Sequence, residues 1–171
     1  DYQDANTGNK DLPLFVFAST PSYCGSHIDG FHHAVLATLS SMADNGKQQT
    51  HINLLPGMVS PADMRYLHEI MQEFGIDAIL FPDYSKSLDN VFTHEYQLIP
   101  SGGTKIKDIR RTGIAKATIE FGTVFAKAST RVRATKNTPT AGERLQENRY
   151  IRNFQMPLPI GINACDHFYN T

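Results

Sequence analysis

The hydrophobic pattern alternates between short, nearly continuous apolar runs and stretches with one apolar face per helical turn. Leu14–Ala18 in PLFVFAS is a continuous run and predicts a strand buried on both faces. Phe31, Val35, Leu39 and Met42 follow at helical spacing, predicting a helix with one buried stripe that ends near Asn45-Gly46. HINLLPG is a second buried strand. Ser60-Pro61-Ala62-Asp63 then opens a helix: a capping serine, a proline suited to the first helical position, and an acid at the positive end. Met64, Leu67, Ile70, Met71 and Phe74 form its stripe, and Gly75 stops it. IDAILF is a third strand closed by Pro82-Asp83.

Beyond it the pattern weakens. EYQLI reads as a short strand or an extended segment. Gly102-Gly103-Thr104 leads into a short helix ending at Gly113, and KATIEF is another strand. Residues 123–136 read as a helix weakened by Thr and Ser, and NTPTAG breaks it or starts another. FQMPLPIGI is extended, and its two prolines suit a strand end or a sheet edge. GINACDHFYNT reads as the first turns of a truncated helix. Strand and helix in alternation predict an α/β, Rossmann-like, mostly parallel sheet with helices on both faces. Residues 1–12 read as a linker or the end of a preceding segment, and 13–171 as one α/β domain.

Composition narrows the function. Of 171 residues, 40% are hydrophobic and 19% charged, enough for a buried core. A net charge of −1 gives no basic surplus for nucleic acid. No apolar run approaches the roughly 18 residues of a membrane span, and the acidic start DYQDANTGNKD does not resemble a signal peptide. Two cysteines, Cys24 and Cys165, are too few for a secreted disulfide framework, so the expected location is the cytoplasm.

The reactive side chains crowd one corner, TPSYCGSHIDGF (20–31), between the first predicted strand and helix. Open α/β sheets place ligand sites at such corners. The glycine spacing fits neither a P-loop nor a dinucleotide fingerprint, so a tight turn is the first reading and a ligand site the second. Cys24, His27, His32 and His33 are metal-competent, but the adjacent histidines point in different directions on a helix and no second ligand cluster follows. His51, His68 and His94 are scattered, which suits structural roles. The Asp83–Ser87 loop, at a carboxyl-end edge, reads first as a polar exposed loop and second as part of a ligand site; Arg110-Arg111 reads first as a solvated helix end and second as a contact for an anion or a partner subunit; packing explains Cys165 and His167 at least as well as chemistry.

Taken in order, TPSYCGSHIDGF, INLLPG, SPADMRYLHEIMQEFGI, LFPDYSKSLD, SGGTKIKDIRRTG, ATIEFG and PLPIGINACDHF resemble the β-type subunits of nitrogenase component 1. The resemblance runs from about Leu12 to Phe168. It implies one domain, the middle one, of a three-domain subunit that pairs with an α-type partner in a heterotetramer served by a reductase (iron) protein. It also implies that most cysteines of the shared iron–sulfur cluster lie upstream, so no cofactor is expected in this chain alone and no residue of it is catalytic. Ser22 matches the T-P-S serine that faces the cluster and ligates it when oxidised. Cys24, usually a non-ligating residue in catalytic subunits, and His27 complete the implied cofactor-binding positions. An alkoxide on a rigid element is a hard donor suited to oxidised iron.

GFHHAV, LFPDYSKSLD and DIRRTG–ATIEFG resemble the branch that forms the scaffold for iron–molybdenum cofactor biosynthesis. TPSYxGSH resembles the catalytic molybdenum–iron protein. The expected function is a scaffold subunit in nitrogen fixation, with the catalytic β subunit as the alternative and a small-molecule-binding α/β module as the third reading.

Overall fold

A computed structural model describes residues 13–23, 25–89, 91, 95–96, 98, 101–121, 145 and 151–170. Its elements are α1 (His27–Met42), β1 (Ile52–Leu55), α2 (Pro61–Glu73), β2 (Ala78–Leu80), α3 (Ile106–Arg111, continued by a 3-10 turn over Thr112–Ile114), β3 (Ala117–Phe121), β4 (Arg152–Met156) and α4 (Ile162–Tyr169). The four strands form one sheet in the order β2-β1-β3-β4, and every pairing is parallel. The α/β expectation holds.

Each half of the core is one face of this sheet. Leu55 and Phe81 meet Val35 and Leu39 of α1, Ile109 of α3 and Leu145. Leu54, Leu80, Phe121 and Met156 meet Met64, Leu67, Ile70 and Met71 of α2, with Phe168 of α4 packed against them. Alternation along β1 explains the division, since Leu54 and Leu55 point to opposite faces. Moving from β1 out to β2 uses α2, and moving back past β1 to β3 uses α3. The two crossovers run in opposite directions over opposite faces, as right-handed connections require.

The start of α2 follows its sequence signal. Ser60 caps it, with Asp63 N–H donating to Ser60 Oγ (3.2 Å) and Ser60 Oγ–H to Asp63 Oδ2 (2.7 Å). Gly75 takes φ +64° just past its end, the left-handed backbone that favours glycine.

Three expectations change. Leu14–Ala18 forms no strand: Leu14, Phe15 and Phe17 are 52%, 54% and 85% exposed. A strand needs a ladder partner, and among the described residues the sheet pairs only β1 to β4. The segment runs instead beside α1, where His33 Nδ1–H donates to the Ser19 carbonyl (3.1 Å). Phe74 leaves the α2 stripe at the helix end and is 60% exposed. Finally, α1 stops at Met42, before Asn45-Gly46. The proline-bearing FQMPLPIGI enters the sheet as β4, which pairs with β3 alone among the described strands. The expected helix over 123–136, NTPTAG, His94 and Cys24 lie outside the described residues. Glu95, Tyr96 and Leu98 of EYQLI are described and carry no strand.

Candidate functional site

The chain reaches its corner at the amino end of α1, and because α1 precedes β1 this is the carboxyl edge of the sheet. Ser22 and Tyr23 form a turn. Tyr23 has φ +62° and Gly25 φ +80°. Such a backbone is costly for tyrosine and natural for glycine. Ser26 then caps α1. Its N–H and Oγ–H both reach Asp29 Oδ2, at 2.6 and 2.9 Å, while Asp29 N–H returns to Ser26 Oγ at 3.4 Å. These bonds hold the Asp29 carboxyl below the usual carboxylate range. A Cβ on Gly25 would sit 2.6 Å from Asp29 Oδ2. Glycine is therefore required twice over at this position, by backbone angle and by space.

Ser22 and His27 are both exposed here. Ser22 is not at the tip of a strand, as the leading apolar run had suggested. What fixes it is the turn, the capping box and the His33–Ser19 bond. Thr20, Ser26, His27 and His33 wall an open polar cavity of about 290 Å³ at this corner. His32, by contrast, is half-buried, and burial pushes its pKa down to about 4, so it is neutral near pH 7. Among the described residues, no three His, Cys, Asp or Glu side chains converge to hold a metal. Besides the Ser22 hydroxyl, the corner carries the hydroxyls of Thr20 and Ser26, the latter engaged in the cap, the exposed imidazole of His27, and His33, whose Nδ1 is tied to Ser19. That set fits one side of a cluster held mainly by other ligands, and does not form a closed site.

A second cluster occupies the loop after β2, which the sequence reads first as polar and exposed and second as part of a ligand site. Asp83 Oδ2 accepts from His68 Nε2–H of α2 (3.1 Å) and Asp83 Oδ1 from Ser85 N–H (2.9 Å). The His68 bond, the largest cause, and the Ser85 bonds lower the Asp83 pKa to about 2. Thr104 Oγ1–H donates to the Leu80 carbonyl (2.8 Å) and accepts from Asp83 N–H (3.0 Å). Tyr84 Oη–H donates to the Val59 carbonyl and accepts from Val59 N–H. Arg65 pairs with Asp89 and donates to the Ser85 carbonyl. This loop is an anchored brace. Apart from the local Asp83–Ser85 bond, the partners lie 15 to 25 residues apart, so no spacing rule exposes them.

Arg111 is likewise tied, to Asp77 and Asp108, and is not merely solvated. His51 is buried and donates from Nε2 to the Arg111 carbonyl, and Cys165 Sγ–H donates to the Pro159 carbonyl.

The match to known proteins decides what this frame belongs to. Residues 3–171 match the family model described as nitrogenase component 1 type oxidoreductase. The chain belongs to the nitrogenase component 1 family. It is 33% identical over 156 residues to the nitrogenase molybdenum-iron protein beta chain of Clostridium pasteurianum, covering 91% of this chain and 31% of that one. It is 32% identical over 124 residues to the nitrogenase iron-molybdenum cofactor biosynthesis protein NifN of Nostoc sp., covering 71% of this chain and 28% of that one. The solved structure titled "Nitrogenase Cp1 at pH 6.5" superposes with a TM-score of 0.76 at 34% identity, over 90% of this chain and 31% of that chain. Relatives thus come from both the beta-chain and the NifN branches of the family, and this chain spans about a third of their length. No helix among the described residues is long and apolar enough to cross a membrane.

Proposed function

We propose that this chain acts in nitrogen fixation as the middle α/β domain of a β-type subunit that pairs with an α-type partner and scaffolds iron–molybdenum cofactor assembly. The observation that carries the β-type reading is the match to β-type chains along nearly the whole sequence. The scaffold branch rests on GFHHAV, LFPDYSKSLD and DIRRTG–ATIEFG. The domain's own contribution is rigidity: a four-stranded sheet whose α1 cap presents a short polar corner.

Ser22 is the residue of this chain that faces the shared iron–sulfur cluster, with Cys24 and His27 as the further cofactor-binding positions. The cluster supplies electron storage when bound. Ser22 contributes a hard oxygen donor from an exposed turn just before the capped start of α1.

A second reading, the catalytic molybdenum–iron β subunit, is favoured by identity at comparable coverage: the Clostridium beta chain is 33% identical across 91% of this chain, whereas a NifN that covers 93% of it is 28% identical. Purifying the full-length subunit with its α-type partner separates the two. A scaffold complex carries a cofactor precursor that activates a cofactor-free molybdenum–iron protein and shows no substrate reduction with the reductase. A catalytic complex reduces substrate when the reductase is supplied. A full-length chain that recruits no α-type subunit overturns both.

A further inference from the structure

The end of α3 is held by groups from outside it. Ile106–Arg111 is too short a helix to persist in water by itself, and its last carbonyls have no partner within it. The segment leading into β1 supplies those partners. Asp44 N–H donates to the Arg110 carbonyl (2.8 Å) and Gln49 N–H to the Ile114 carbonyl (2.7 Å). His51 Nε2–H donates to the Arg111 carbonyl (3.1 Å) and Asn53 Nδ2–H to the Thr112 carbonyl (2.9 Å). Lys116 N–H returns to the His51 carbonyl (2.8 Å). Among these donors only the His51 ring takes up a proton near neutral pH.

That ring is 1% exposed. A carbonyl only accepts, so Nε2 carries the proton and Nδ1 is a bare acceptor with no hydrogen-bond partner among the described residues. An interior tolerates a bare ring nitrogen. It does not tolerate a second N–H with a positive charge, which buries an unmatched donor and a cation together. The charged groups facing the ring give no relief. Arg111 of α3 repels an imidazolium, and the carboxylates that attract it, Asp108 of α3 and Asp77 just before β2, are both paired with Arg111. Burial, the largest cause, keeps the His51 pKa below its ordinary 6.5.

We propose that His51 is an acid-sensitive latch: a proton taken up at its buried ring releases residues 106–116 from β1 while the rest of the sheet stays formed. The closed state holds the ring neutral, and the open state gives it to water, so acid favours opening. Closure is at full strength above pH 6.5 and weakens below it, by about tenfold per unit until the folded ring itself titrates. Opening frees the carbonyls of Arg110, Arg111 and Thr112 and withdraws Ile109 from the cluster it shares with Leu55 and Phe81. Because α3 lies on the crossover from β2 to β3, one proton sets how firmly that connection is held. The corner before α1 takes no part, so the latch stands independently of the cluster-facing role proposed above.

Hydrogen exchange of the full-length subunit tests this, read by mass spectrometry on peptides over 106–116 and corrected for the intrinsic rate at each pH. From pH 7.5 to 5.5 the wild-type protection is expected to fall about tenfold, following the protonation of an ordinary imidazole in the opened state. Peptides from α2 are expected to change less than about twofold. His51→Gln puts an amide N–H where Nε2–H stood, keeps the bond to the Arg111 carbonyl and titrates nowhere in this range. Its protection over 106–116 should be equal at the two pH values. Wild-type protection that is unchanged between them overturns the latch, and so does an equal fall in wild type and His51→Gln. Where His51→Gln is already open at pH 7.5, the wild type decides: a fall over 106–116 no larger than over α2 overturns the latch, and a selective fall supports it.

Discussion

Replacing Gly25 by alanine tests how the corner is held. Two costs add. The residue sits at φ +80°, and a left-handed backbone costs an alanine about 1–2 kcal/mol. The new methyl would also lie 2.6 Å from Asp29 Oδ2, so the carboxylate must leave the bonds it accepts from Ser26. Loss of an N-cap interaction is worth about 1 kcal/mol. The total is about 2–3 kcal/mol, which for a chain of this size lowers Tm by about 5–10 °C. Gly75→Ala is the control: φ is +64°, but nothing lies within 4 Å of the added Cβ, so only the same backbone cost of about 1–2 kcal/mol applies, without the loss of a cap. Urea and thermal unfolding followed by circular dichroism measure both variants. Placing Gly25→Ala in an Asp29→Ala background removes the collision, so the double variant should fall short of additivity by about 1 kcal/mol. Equal losses for Gly25→Ala and Gly75→Ala, with full additivity, would refute the claim that Asp29 and Gly25 form one device.

Three further outcomes follow from the brace and the sheet. Thr104→Val removes a hydroxyl that both donates to Leu80 and accepts from Asp83, and should cost about 1–3 kcal/mol in urea unfolding, whereas Thr104→Ser should cost much less. The folded Asp83 pKa, about 2, lies below its ordinary value of 3.8, so its stabilisation is full above pH 3.8 and is lost as pH falls through 2. With solvent screening the effect is about 1 kcal/mol; Asp83→Asn should show that loss at pH 7 and converge with wild type near pH 2. Asn53 is fully buried in β1 and donates to the Thr112 carbonyl and Thr118 Oγ1. Asn53→Asp puts a buried charge against the Thr112 carbonyl with only the Thr118 hydroxyl able to donate to it, and should destabilise by about 3 kcal/mol at pH 7, less as pH falls; equal stability at pH 7 would contradict the described bonding.

Much of the fold was legible because its signals are local. The Ser60-Pro61-Ala62-Asp63 opening, the Met64–Met71 stripe and the apolar runs of β1, β2 and β3 each carry their own period or cap, and each appears where the pattern places it. The leading run Leu14–Ala18 was misread for a physical reason. Apolar continuity reports that a segment can be buried, but pairing depends on an available sheet edge, which no local pattern encodes. The brace around Asp83 was illegible for the opposite reason: its residues look like any polar loop, and their meaning comes from Val59, Arg65, His68 and Thr104 brought in from elsewhere. At the corner, Gly25 and Ser26 announced a turn. The left-handed Tyr23 beside them had no signal of its own, since nothing marks a tyrosine as bearing a glycine's backbone angle.

The central claim is that residues 20–27 face another polypeptide. Hydroxyl-radical footprinting of the full-length subunit, unpaired and then paired with its α-type partner, measures this directly through the reactive side chains of Tyr23 and His27, both solvent-accessible in the chain described. The account predicts strong protection of both on pairing, with Tyr66 on the outer side of α2 unchanged. Undiminished labelling of Tyr23 and His27 in the assembled complex would contradict it.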